Sequence, residues 1–219
     1  PRLVTEYALR FKLASVNEIA DSYDHNPNAD FHQLVSDMAK IPRSQAKVIN
    51  LGLFYGMGKA KLMAELGVSK TKADELFGIY HSKVPFVKQL TNKLMTAAQR
   101  NGKIKTILNR KCRFPKYEPV LKAFTYKALN KLIQGSAADM TKKAMLDLWK
   151  EGITPHIQIH DELDISVTND LEAAKIKDIM EHAVDLQIPN KVDYESGPNW
   201  GEIKWGYFMA YLNANIPVQ

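Results

Sequence analysis

Apolar positions recur at helical spacing through most of the first 101 residues and switch to strict alternation in two short stretches further along the chain. Residues 1–20 read as one helix, which the polar, turn-rich run DSYDHNPNAD breaks. A new helix opens at Asp30. Pro42 stands where a first helical turn tolerates proline, and RSQAKVINLGLFYG runs on from it to Gly56 and Gly58. Ser69 and Thr71 are candidate caps for a helix that reaches Lys83, Pro85 starts the next, and Gly102 stops it. Residues 30–101 are therefore predicted to be a run of helices.

The segment KIKTILNRKCRFP alternates and carries Asn109 at a turn position, which predicts a short hairpin or extended arm. Residues 119–151 return to helical spacing, HIQIHDELDISV alternates, NDLEAAKIKDIMEHAVDL is helical again, and VDYE reads as a short strand. Strands separated by long helices define an α+β layer. No internal repeat or flexible linker interrupts the pattern, so one large domain or two interleaved subdomains are expected.

Composition narrows the class. Hydrophobic residues at 45% and charged residues at 25% exclude a mainly disordered or collagen-like chain. No apolar run approaches the roughly 20 residues of a bilayer crossing, and the start PRLVTEYALRFK lacks the apolar core of a signal peptide. A cytoplasmic protein with no membrane partner is the expectation. The single Cys112 forms no internal disulfide and no thiolate cluster, so any metal is expected to be oxygen-bound.

The charge is concentrated. Of a net +6, the stretch from Arg100 to Lys122 holds +7: Arg100, Lys103, Lys105, Arg110, Lys111, Arg113, Lys116 and Lys122 against Glu118. Such a stripe is the footprint of a phosphate backbone, although each residue taken alone fits a solvated face equally well.

Two constellations could carry chemistry. In IQIHDELDISV an unbroken strand would bury Asp161 among Ile157, Ile159, Leu163, Ile165 and Val167, a costly place for a carboxylate. A hairpin turning at His160-Asp161-Glu162 instead projects both acids from its tip, where a hard cation such as Mg²⁺ finds oxygen ligands. A lone HDE tripeptide is more often a plain turn. The second constellation is Arg43, Lys47, Leu51 and Tyr55, which fall within an arc of about 120° on one helix face. Two cations followed by an apolar side chain and a ring suit a nucleoside triphosphate laid along that face, with Gly52 and Gly56 permitting close approach. Cations facing water are the alternative.

RSQAKVINLGLFYG resembles the fingers-helix motif of family A DNA polymerases, the bacterial DNA polymerase I type: Arg, three residues, Lys, seven residues, Tyr-Gly, matched by Arg43, Lys47, Tyr55 and Gly56. IHDELDISV is similar to the same family's palm hairpin motif, through His160, Asp161 and Glu162. TILNRKCRFP resembles its basic hairpin, ALNKLIQGSAADMTKKAM its long palm helix, and GPNWGE its C-terminal signature, so the likeness covers nearly the whole chain. The resemblance implies a right-hand polymerase architecture: a helical fingers subdomain at 30–102 inserted in an antiparallel palm made of 1–29 and 103–219. It implies template-directed DNA synthesis by phosphoryl transfer with two Mg²⁺ ions, a DNA primer-template and a dNTP as partners, and a bacterial or phage-infected cell. Asp161 would be a metal ligand and catalytic with Glu162 and Lys47. Arg43, Lys47, Leu51, Tyr55 and His32 would hold the dNTP, and Arg110, Lys111, Arg113, Asn130, Gln134 and His160 would touch DNA.

Three departures stand out. Leu51 replaces the family's Phe or Tyr, and Tyr126 its usual Arg. The family's first palm motif, Asp-x-Ser-Gln-x-Glu and two residues ending in Arg, is met here only from Pro1-Arg2, so its metal-binding Asp falls six positions before Pro1. The expectation is accordingly a fragment or split polymerase that takes this Asp from an upstream polypeptide bearing the thumb, inactive alone. The alternative is a non-catalytic nucleic-acid-binding module.

Overall fold

The computed structural model describes residues 1–54, 59–114, 124–199 and 202. The chain divides into two compact units, Pro1–Ser136 and Ala137–Gln219.

The first unit is mostly helical: α1 (Arg2–Arg10), α2 (Asn17–His25), α3 (Phe31–Ala39), α4 (Arg43–Phe54), α5 (Lys59–Leu66), α6 (Lys70–Lys83) and α7 (Pro85–Asn101). The punctuation read from sequence sets most of these ends. Asp30 caps α3 by accepting the N–H groups of His32 and Gln33, Ser69 caps α6 through Lys72 N–H, Pro85 opens α7, and Gly102 closes it with φ 62°. Residues 1–20 are not one helix. The chain leaves α1 after Arg10, takes positive φ at Lys12 and Ser15, and re-enters a helix at Asn17 that uses half of the expected break. Lys12 and Leu13 N–H groups close back on the carbonyls of Leu9 and Ala8, so the end of α1 is satisfied locally. Val4, Tyr7 and Ala8 of α1, Phe31 and Val35 of α3, Ile49 and Phe54 of α4, and Phe86, Leu90 and Leu94 of α7 supply buried side chains.

After α7 comes the hairpin of β1 (Lys103–Lys105) and β2 (Lys111–Arg113), antiparallel with Ile104 opposite Cys112. Asn109 makes the turn at φ 64°, and the Thr106 hydroxyl accepts the Arg110 N–H. A short 3-10 turn (Thr125–Lys127) leads into α8 (Ala128–Lys150), whose latter part opens the second unit.

The second unit adds a hairpin of β3 (Ile157–Ile159) and β4 (Glu162–Asp164), then α9 (Asp170–Glu181) capped by Asn169. Its core is one cluster: Ala144 and Leu148 of α8, Leu163, Ile165 and Val167, and Ala173, Ile176 and Met180 of α9. The expected strand at VDYE does not form. Val192 N–H is taken by the Glu181 carboxylate at 2.8 Å instead of a neighbouring strand, and its side chain packs on the cluster. No helix among the described residues is long and apolar enough to cross a membrane.

Candidate nucleotide and nucleic-acid site

The first half of the site is built where α3 packs on α4. Asp30 does two jobs there. One carboxylate oxygen caps α3, and the other accepts hydrogen bonds from the Arg43 guanidinium, at 2.7 Å from Nε and 2.5 Å from a terminal nitrogen. Burial alone would push the Asp30 carboxyl up, but the Arg43 contact and the two backbone N–H groups hold it below its ordinary value. One and two turns later on α4 come Lys47, exposed, and Leu51, half-buried. His32 lies within the electrostatic reach of Arg43 and Lys47: burial chiefly lowers its pKa, both cations add to that, and Asp30 opposes it. The imidazole is therefore neutral at pH 7. The helix pair thus brings His32, Arg43 and Lys47 into one neighbourhood, with the basic ends of Arg43 and Lys47 exposed. Tyr55 and Gly56 lie outside the described residues.

Sequence reading missed Asn50. It is fully buried, and its side-chain Nδ2 lies 2.9 Å from His32 Nδ1. A polar residue inside an otherwise apolar helix face was the available signal.

The second half is the β1–β2 hairpin. Strand alternation places Ile104, 5% exposed, on the inner face and Lys103, Lys105, Lys111 and Arg113 on the outer one. The register sets Lys103 opposite Arg113 and Lys105 opposite Lys111. Like charges directly opposite are destabilising, and among the described residues none of the four is paired with an acid. A polyanion is the natural counter-charge. The hairpin is fastened to α8 by its tip. Arg110 donates to the Gly135 carbonyl at 2.7 Å, and Ser136 Oγ, wholly buried, accepts Ile107 N–H at 3.1 Å and shares a 2.6 Å hydrogen bond with the Tyr7 hydroxyl. Gly135 has no room for a side chain: a Cβ there would sit 2.9 Å from the Thr106 methyl and 3.2 Å from Arg110. Asn130, half-buried, and Gln134, exposed, lie four apart on one face of α8.

In the second unit the HDE segment does form a hairpin, with Ile159 opposite Glu162. The turn is only His160-Asp161, so Glu162 begins β4. His160 adopts φ 54°, and the Gln158 side chain braces its carbonyl at 2.9 Å. Asp161 is exposed at the tip, as the burial argument required. Its neighbour Asp164 is 3% exposed, and among the described residues neither of its carboxylate oxygens has a hydrogen-bond partner. Burial raises its pKa. Glu162 is raised too, first by burial and then by the charges of Asp161 and Asp164. Carboxylates that repel one another at an exposed tip fit a hard divalent cation, but among the described residues no three metal-ligating side chains converge, so the tip is at most part of a metal site.

Residues 13–202 match the family model described as DNA polymerase family A. The chain is 36% identical over 242 aligned residues to a DNA-directed DNA polymerase of Pseudomonas phage M6, covering 92% of this chain and 36% of that protein. It is 34% identical to DNA polymerase I of Geobacillus stearothermophilus, covering 80% of this chain and 21% of the relative. Among solved structures, the POL domain of Pol1 from M. smegmatis, in complex with DNA primer-template and dNTP, superposes with a TM-score of 0.67 at 27% identity, over 76% of this chain and 33% of that one. The fold is that of part of a right-hand polymerase domain. This chain belongs to DNA polymerase family A. It spans about a third of the phage relative's length and a fifth of the bacterial one's.

Proposed function

We propose that these residues form the fingers and most of the palm of a template-directed DNA polymerase, and that they bind the incoming dNTP, grip the primer-template and supply one of the carboxylates for two-metal phosphoryl transfer. The observation that carries this reading is the convergence of His32, Arg43 and Lys47 at the α3–α4 junction. Two cations beside a neutral imidazole, with Arg43 held by Asp30, suit the phosphates of a nucleotide, and fixed cations there would stabilise the charge that builds on the leaving pyrophosphate. Residues 30–102 are the fingers, and 1–29 with 103–219 the palm. Leu51 and Tyr55 would meet the sugar and base. Lys103, Lys105, Lys111 and Arg113 run along the duplex backbone, Arg110 and, on α8, Asn130 and Gln134 add contacts near the primer end, and His160 touches the terminus itself.

Asp161 would hold Mg²⁺, with Glu162 in support, and the ions when bound would activate the primer 3′ oxygen and neutralise the leaving group. The partner carboxylate of that site lies outside these 219 residues, in the first palm motif, on upstream polypeptide of the same or another chain. Synthesis on this reading occurs in the cytoplasm of a bacterium or phage-infected cell.

The test uses polymerase that includes the upstream palm. Asp161→Asn keeps the shape of the turn and removes its charge, so primer extension should fall by several orders of magnitude while DNA affinity changes little. Near-normal extension by that variant would refute the assignment.

A further inference from the structure

The contact between Asn50 and His32 specifies more than packing. Asn50 is 0% exposed, so its amide has no water to turn to. Nδ2 faces His32 Nδ1 at 2.9 Å, while Oδ1 is buried with no partner among the described residues. An amide NH₂ can only donate, and a neutral imidazole carries one bare nitrogen and one N–H. A donor held against Nδ1 makes Nδ1 the bare one and puts the proton on Nε2.

We propose that Asn50 is a positioning residue that fixes His32 as the Nε2–H tautomer, so that the ring presents a hydrogen-bond donor to the phosphates of the incoming dNTP. This rests on the triphosphate reading of the α3–α4 junction. A neutral histidine has two faces to offer an anion, an N–H or a lone pair, and only the N–H attracts one. The charged groups around the ring would otherwise work by attracting or repelling an imidazolium. Asp30 favours it, whereas burial, Arg43 and Lys47 oppose it, and the ring stays neutral. Without a fixed tautomer, a neutral ring meets a phosphate with the wrong nitrogen part of the time. Asn50 removes that ambiguity from inside α4, the helix that also carries Arg43 and Lys47, so all three donors are set by one element. The orphaned Oδ1 is the cost, and a Leu of similar shape would avoid it.

The experiment is nitrogen-15 NMR of histidine-labelled chain at neutral pH, alone and with dATP. In the native chain His32 should show Nε2 at the protonated-nitrogen position and Nδ1 at the bare-nitrogen position. In Asn50→Asp the carboxylate accepts from Nδ1, so the two resonances should exchange places or the ring should become doubly protonated. Addition of dATP should shift the Nε2–H signal of native His32 saturably, and should leave Nε2 unmoved in an Asn50→Asp chain whose ring has become the Nδ1–H tautomer. An Nδ1–H tautomer in the native chain overturns the inference, and needs no variant to fold. So does a native-like tautomer in folded Asn50→Asp. If the tautomers behave as expected and dATP leaves native His32 unmoved, the triphosphate reading is refuted and the role of Asn50 in setting the ring stands.

Discussion

The four outward cations of the β1–β2 hairpin allow a quantitative test of DNA binding. Changing Lys103, Lys105, Lys111 and Arg113 together to Gln removes the charge and keeps the alternation, because Ile104 and Phe114, both 5% exposed, still anchor the hairpin on its inner side. If each cation neutralises one phosphate, each contributes about 0.9 to the slope of log K against log salt, so the quadruple change should flatten that slope by up to about 3.6. Between 50 and 200 mM salt, native affinity should then fall about 150-fold more than that of the variant. The assay is fluorescence anisotropy of a labelled primer-template over that range, with a second duplex of scrambled sequence, for which the change should be the same. Stability gives the control. Two directly opposed like-charge pairs cost roughly 0.2–1 kcal/mol each, so the variant should melt no lower than the native chain. A slope reduced by less than about 0.9 in a variant that melts normally would mean that the face does not lie along a phosphate backbone.

Asp164→Leu should stabilise the chain by about 1–3 kcal/mol at neutral pH, since it removes a buried carboxylate with no partner. The raised pKa means that folding penalises the charged form: that penalty is absent below the ordinary aspartate range and grows as pH rises through it, so the advantage of the variant in urea unfolding should narrow in acid. A gap that is constant with pH would refute this. Gly135→Ala should cost about 1–3 kcal/mol and disturb the hairpin, because the new methyl meets the Thr106 methyl at 2.9 Å; unchanged unfolding would show that the tip yields freely.

What the sequence made legible follows from the range of the interactions that decide each feature. The α4 face could be read because i, i+4 spacing is local, and the caps at Asp30, Ser69 and Gly102 because one side chain or one φ angle makes them. The break at residues 11–16 was not legible. Lys12 and Ser15 take positive φ with no glycine to announce it, and the bonds from Lys12 and Leu13 back to Leu9 and Ala8 that end α1 leave no mark in the apolar pattern. VDYE alternates like a strand, yet a carboxylate eleven positions before Val192 takes its N–H, a competition that pattern cannot weigh. At the site, the parity argument placed Asp161 correctly and was silent on Asp164, whose burial depends on what covers that face of the hairpin. Asn50 gained meaning only when α3 brought His32 to it. The tip acids and the basic stripe were legible because turns and charge density are properties of neighbours in sequence.

The turn at His160 sets folding and chemistry at odds. A residue with a Cβ at φ 54° gives up about 1–2 kcal/mol relative to glycine, and asparagine tolerates the same backbone at lower cost. A chain selected only to fold would therefore not keep an imidazole at the head of that hairpin. A library sorted for thermal robustness alone would enrich Gly or Asn at position 160, and its most robust members would be those stripped of the side chain that stands beside Asp161.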